Sequence, residues 1–171
     1  MLEIRTKILL IIITVLSFML SSCVVKYSTT GASIPMEMKT VSVLYFNNRS
    51  NNVQPQFSQE FTQKLRDKIK QNTSLKMVTE GGDAIFEGEI TGYDVQPTAI
   101  QGNNAAKNRF TVTIKVKFTN EIDPKLSYDA SFSRFRDYNS EVSFESGTNA
   151  NLPDIINELT EDIFNKAFVN W

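Results

Sequence analysis

From Thr40 to Phe46 the chain alternates, Val41, Val43 and Tyr45 against Thr40, Ser42 and Leu44, with Phe46 apolar as well. That pattern predicts a strand covered on more than one side. Asn47 to Pro55 is rich in Asn, Ser and Gln and reads as a polar loop. From about Gln56 the period lengthens: Phe57, Phe61, Leu65 and Ile69 fall four apart and line one face of a helix ending near Asn72. A short strand around Leu75 to Val78 follows, then the turn Glu80-Gly81-Gly82-Asp83 and a longer strand from Ala84 to Val95. Strict alternation puts Ala84, Phe86, Gly88, Ile90 and Gly92 on one face of it, with Glu87, Glu89, Thr91 and Tyr93 on the other. The two glycines leave room for a bulky neighbour or another backbone.

Arg109 to Asn120 is the clearest strand, with Phe110, Val112, Ile114, Val116 and Phe118 pointing one way and Thr111, Thr113, Lys115, Lys117 and Thr119 the other. Asp123-Pro124 marks a turn into a last strand, roughly Leu126 to Tyr138. There Leu126, Tyr128, Ala130 and Phe132 alternate, but Arg134 and Arg136 then fall on the same parity, so either a bulge shifts the register or the strand leaves the core. Gln101 to Asn108 and Glu141 to Asn151 read as polar loops, and Pro153 sits at a first helical position. Leu152, Ile155, Ile156, Leu159, Ile163 and Ala167 then mark an amphipathic helix running almost to Trp171. The expected fold is α+β: a two-layer sandwich in the order β-α-β-β-β-α, one mixed sheet of about four strands with two helices on one face. The other sheet face is expected to stay polar.

Ahead of this domain, Arg5 and Lys7 precede an almost wholly apolar run from Ile8 to Met19, and Leu20-Ser21-Ser22-Cys23 closes it. This is the layout of a secretory leader over residues 1–22 ending in a lipobox. Its apolar core is shorter than the roughly 20 residues a bilayer-spanning helix requires. Cys23, the only cysteine, has no disulfide partner and reads as a lipidated first residue of the mature chain. Residues 23–39 then form a tether, and residues 40–171 a single domain. Each buried CH2 of an acyl chain contributes roughly 0.8 kcal/mol, so several chains on one residue make a lasting anchor.

Removing residues 1–22 takes away Glu3, Arg5 and Lys7 and leaves the charge near zero, which argues against nucleic acid as a partner. The chain has no histidine and its cysteine is committed to lipid. The usual zinc and transition-metal ligand sets are therefore missing, as are histidine-based triads, and no cofactor motif is present. Glu87, Glu89 and Asp94 are the carboxylates an acid/base enzyme would use, but alternate residues on one strand face are more often solvated. A binding protein, not an enzyme, is expected.

Several segments carry a resemblance. Tyr27 with Gly31-Ala32-Ser33-Ile34-Pro35, Thr40-Val41-Ser42-Val43 leading to Phe46 and Asn47, and Phe86-Glu87-Gly88-Glu89-Ile90-Thr91-Gly92-Tyr93 followed by Pro97 are similar to the LptE family of lipopolysaccharide-assembly lipoproteins. So is the ending, Asp162 through Trp171. The resemblance implies an outer-membrane lipoprotein facing the periplasm, with palmitate and diacylglycerol on Cys23. It implies a partner too: the LptD β-barrel, which the protein plugs while the two insert lipopolysaccharide into the outer leaflet. A scaffold lipoprotein of another secretion or efflux assembly is the alternative, since fold alone does not choose between them.

A protein handling an anionic glycolipid should present cations, because phosphate pairs well with Arg and Lys. The candidate lipopolysaccharide-binding residues are Lys107, Arg109, Lys115, Lys117, Arg134 and Arg136. Charged residues on exposed strands also keep sheet edges from aggregating, which is the plainer reading. Phe132 and Phe135, close to the two arginines, are expected in the core. The three polar loops are candidate contacts with a barrel wall.

Overall fold

The computed structural model describes residues 34–52, 54–101 and 104–169. The expected leader at residues 1–22, Cys23, Tyr27, Gly31 to Ser33 and Trp171 lie outside the described residues. The elements are β1 (Thr40–Val43), β2 (Asn47–Asn48), α1 (Pro55–Asn72), β3 (Lys76–Val78), β4 (Ala84–Gln101), β5 (Asn104–Asn120), a 3-10 turn (Pro124–Leu126), β6 (Tyr128–Asn139) and α2 (Phe144–Phe168). The sheet is six-stranded, in the order β3-β1-β4-β5-β6 with β2 also paired to β4. The α+β class holds, while the expected four strands and the order β-α-β-β-β-α are corrected to six strands and β-β-α-β-β-β-β-α. The short strand read around Leu75 to Val78 is present as β3, whereas β2 is only two residues long, too short to show a period.

Connection length explains the mixed pairing. β1 pairs parallel with both β3 and β4, and α1 supplies the long crossover that a parallel connection requires. β4, β5 and β6 follow one another with few residues between them and pair antiparallel. In α1, Phe57, Phe61, Leu65 and Ile69 are all buried, as their spacing predicts, and Pro55 opens the helix where its missing N–H costs nothing. Thr62 locks this helix to the β1–β2 connection: its hydroxyl donates to the Ser58 carbonyl at 2.7 Å and accepts the Phe46 N–H at 3.2 Å. Arg66 donates twice to the Val43 carbonyl at the end of β1.

Phe57 of α1 packs against Tyr93, and Phe168 of α2 packs against Phe86 and Phe118, so both helices share one core with one side of the sheet. Gly88 is necessary to that core. A Cβ there would overlap the Lys115 carbonyl oxygen and come within 2.6 Å of Phe46 Cε1.

Three local readings are overturned. The β4–β5 register slips between Ile90 and Gly92, leaving Thr91 as an extra residue. Tyr93 therefore turns into the core and is fully buried, whereas strict alternation places it with Glu87 and Glu89. Residues 101 and 104–108 belong to the β4–β5 hairpin and not to a loop, because backbone pairing there overrides polar composition. Most of 141–151 is likewise helix: Ser143 caps α2 by accepting from the Ser146 N–H at 3.3 Å, and Pro153 lies inside the helix instead of at its start. The first turns of α2 bury Gly147 and Thr148, small residues with no apolar period to read. The Tyr138 ring fills the space that a side chain on Gly147 would take.

Candidate functional site

The side of the sheet opposite the helices is polar and open. Its surface is built from Glu87 and Glu89 of β4, Arg109, Thr111, Thr113, Lys115 and Lys117 of β5, and Asp129, Ser131, Ser133, Phe135 and Asp137 of β6, alternate residues that share a face by strand geometry. Charges there are paired across the strands. Lys117 Nζ meets Glu87 Oε1 at 2.5 Å, Lys115 Nζ meets Asp129 Oδ2 at 3.3 Å, and Arg109 forms a two-pronged pair with Asp137 at 2.7 and 2.9 Å. The Arg109 guanidinium holds the Asp137 carboxyl below its ordinary range, and hydrogen bonding to the carboxylate raises Arg109 in turn. That guanidinium also lies 3.9 Å from the Phe135 ring centroid. Phe135 is 49% exposed, so the expectation of a core residue is corrected, while Phe132 does pack against the core.

A shallow groove of about 490 Å³ runs along this face, lined by Tyr45, Glu87, Glu89, Lys115, Lys117 and Asp129 among others. Tyr45, 49% exposed, gives the groove an aromatic wall that strand alternation does not single out. Glu87, Glu89 and Asp94 are each partly exposed, and Glu87 is engaged by Lys117.

Arg134 and Arg136 are elsewhere. The β5–β6 register runs unbroken from Phe118↔Tyr128 to Lys107↔Asn139, so no bulge resolves their parity. Both stay on the helix side and reach α2 as ions. Arg134 makes a two-pronged pair with Asp162 at 2.7 Å for each contact, and Arg136 pairs with Glu158. These hydrogen bonds raise both arginines and hold the Glu158 carboxyl low. The sequence does carry a signal for this: Glu158 and Asp162 are four apart and so share a helix face.

The six candidate cations are therefore divided. Arg109, Lys115 and Lys117 share the open face, and Lys107 is on the same strand and near enough to Asp137 to help lower its pKa. Arg134 and Arg136 brace β6 to α2 across the sheet's other side.

Taken together, the chain is a mixed-sheet α+β domain with two helices on its core side and a polar, charge-paired sheet surface left open. Residues 38–167 match the protein family described as "LptE: Lipopolysaccharide-assembly". The chain belongs to that family, as the resemblance in its segments implied, and its place is among lipopolysaccharide-assembly proteins. No curated protein matches it by sequence. Among solved structures, a hypothetical protein from Chlamydia trachomatis shares 8% identity at a TM-score of 0.54, covering 78% of this chain and 99% of that one. A Xanthomonas campestris protein shares 9% identity at a TM-score of 0.53, covering 78% and 87%. The rare lipoprotein B from Shewanella oneidensis shares 10% identity at a TM-score of 0.48, covering 75% and 90%.

Proposed function

We propose that this protein is a non-catalytic outer-membrane lipoprotein, held at the periplasmic side by acyl chains on Cys23. It binds and plugs an LptD-type β-barrel, assisting assembly of the barrel and insertion of lipopolysaccharide into the outer leaflet. The observation that carries this reading is the family match over residues 38–167, which spans nearly the whole described fold. The open sheet face supports it. A barrel lumen is polar, and a plug needs a broad polar surface to meet it. Lys107, Arg109, Lys115 and Lys117 are the cations best placed to meet lipopolysaccharide phosphates, since they lie on the strand that runs through this open face. Membrane confinement through Cys23 raises the local concentration of the domain near a barrel in the same membrane. The test is depletion of the protein, followed by assays of folded barrel and of surface lipopolysaccharide. Loss of both is expected, and normal levels of both would overturn the proposal.

A further inference from the structure

The two ends of α2 are held in different ways. From Ile155 onward the helix buries Ile155, Ile156, Leu159, Ile163 and Phe164, and ion pairs tie it to its neighbours through Arg136 with Glu158, Lys68 with Glu161 and Arg134 with Asp162. Among the described residues none from Phe144 to Ala150 forms an ion pair. Hydrogen bonds in this first piece turn inward on the helix: Thr148 Oγ1 donates to the Phe144 carbonyl at 2.9 Å, and Asn151 Nδ2 donates to the Gly147 carbonyl at 2.7 Å. Its links to the sheet are aromatic and small. Phe144 and Tyr93 have ring centroids 6.5 Å apart, Thr148 reaches the Tyr93 hydroxyl, and the Tyr138 ring lies against Gly147. Ser146, Gly147, Thr148 and Asn149 are weak helix formers, so these turns are helical because they are docked.

Pro153 divides the two pieces. It has no N–H to offer the Asn149 carbonyl, and its ring crowds that carbonyl. A cleft of about 230 Å³ opens at this point, lined by Gln54, Phe57, Tyr93, Asn149, Leu152 and Pro153 among others. The residues at the break are those that begin a helix. Asn151 is a favoured N-cap, Pro153 is tolerated in a first turn, where its missing N–H has no partner in any case, and Asp154 suits the positive end of the helix dipole. α2 therefore carries two starts: Ser143, which caps it in the docked state, and Asn151. One group weighs against docking. The Tyr138 hydroxyl is buried with no hydrogen-bond partner among the described residues, and an unpaired buried hydroxyl is unfavourable.

We infer that Phe144 to Ala150 is a flap that lifts as a unit from Tyr93 and Tyr138, leaving α2 to start at Asn151. Lifting hydrates the Tyr138 hydroxyl and joins the cleft at Pro153 to the uncovered Tyr93 and Tyr138 rings, so the flap controls access to that pair of phenols. The rest of α2 stays in place, because its ion pairs and most of its apolar stripe lie beyond Pro153. No barrel partner is needed for the motion.

Amide hydrogen exchange of the full-length protein reads the flap directly. Residues 148–152 should exchange at one shared rate, ~100-fold or more above that of residues 157–165, with the step at Pro153. Pro153→Ala restores the missing N–H and removes the crowding of the Asn149 carbonyl, so it should slow exchange at 148–152 about tenfold. Gly147→Ala drives a Cβ into the Tyr138 ring and should hold the flap open: residues 148–152 lose protection altogether while residues 157–165 keep theirs. Protection that declines smoothly toward the start of α2, as simple end fraying gives, would overturn the inference. So would an unchanged rate at 148–152 in Pro153→Ala, or a Gly147→Ala variant that loses protection evenly along the whole helix.

Discussion

Replacing Gly88 by alanine should be among the most damaging single-methyl changes in the protein. The new Cβ overlaps the Lys115 carbonyl oxygen, which is backbone and cannot rotate away, and lies 2.6 Å from Phe46 Cε1. Phe46 is fully buried and packed edge-on against Phe61 with ring centroids 5.1 Å apart, so the ring has nowhere to retreat. Overpacking of a close-packed core costs about 1–3 kcal/mol, and a displaced Phe46 forfeits part of the roughly 1.5–3 kcal/mol that burying such a side chain contributes. A loss of ~3 kcal/mol follows. At about 3–4 °C per kcal/mol for a domain of this size, the melting temperature should fall by ~10 °C. Gly92→Ala is the internal comparison, since its Cβ comes no nearer than 3.0 Å and meets the Thr113 side chain first. Thermal unfolding followed by circular dichroism measures both. A Gly88→Ala variant that melts no lower than Gly92→Ala would refute this account of the Gly88–Phe46 contact.

Asp83→Ala should loosen entry into β1, because that carboxylate accepts the Lys39 and Thr40 N–H groups at 2.7 and 2.8 Å and the Thr40 hydroxyl at 2.9 Å; faster hydrogen exchange at residues 39 and 40 is the readout. Stability should also fall on acidification. Asp83 is held low by those N–H donors, Asp137 by Arg109 and Glu158 by Arg136, and a group whose folded pKa is depressed contributes stability above its unfolded value that is lost as pH falls through the folded one. Melting temperature should therefore hold steady from pH 7 to about 5 and drop below about pH 4. Lys115→Ser with Lys117→Ser should weaken lipopolysaccharide binding without lowering the melting temperature. Arg134→Ser with Arg136→Ser should do the reverse, because those arginines are tied to α2; equal effects of the two pairs on binding would refute the division. In a double-mutant cycle, Arg136 and Glu158 should couple by less than ~1 kcal/mol, as partly exposed ion pairs do.

The strongly periodic elements are legible in the chain itself. The helix from Phe57 to Ile69, the strand from Arg109 to Asn120 and the apolar stripe of the second helix each repeat long enough for their period to identify both the element and its buried face. The misreadings share a cause. Alternation puts Tyr93 on the wrong face because one extra residue, Thr91, inverts every position after it, and nothing in the pattern marks a bulge. Residues 104–108 and 144–151 look like loops because strand and helix there are held by hairpin pairing, a Ser143 cap and the buried small residues Gly147 and Thr148, none of which adds an apolar beat.

The candidate cations divide in the same way. The order of residues alone specifies which positions are charged and which face of the fifth strand they share. It also carries enough of the family's pattern to place the chain among lipopolysaccharide-assembly proteins. Packing in three dimensions was needed to put Arg134 and Arg136 across the sheet from Lys115 and Lys117, to give each of these four a carboxylate, and to leave the far edge of β6 without a neighbouring strand among the described residues. Such pairing depends on what lies beside a residue in the next strand or on the helix above. For Arg134 and Arg136 that partner is 28 and 22 positions away along the chain, and no local period encodes such a distance.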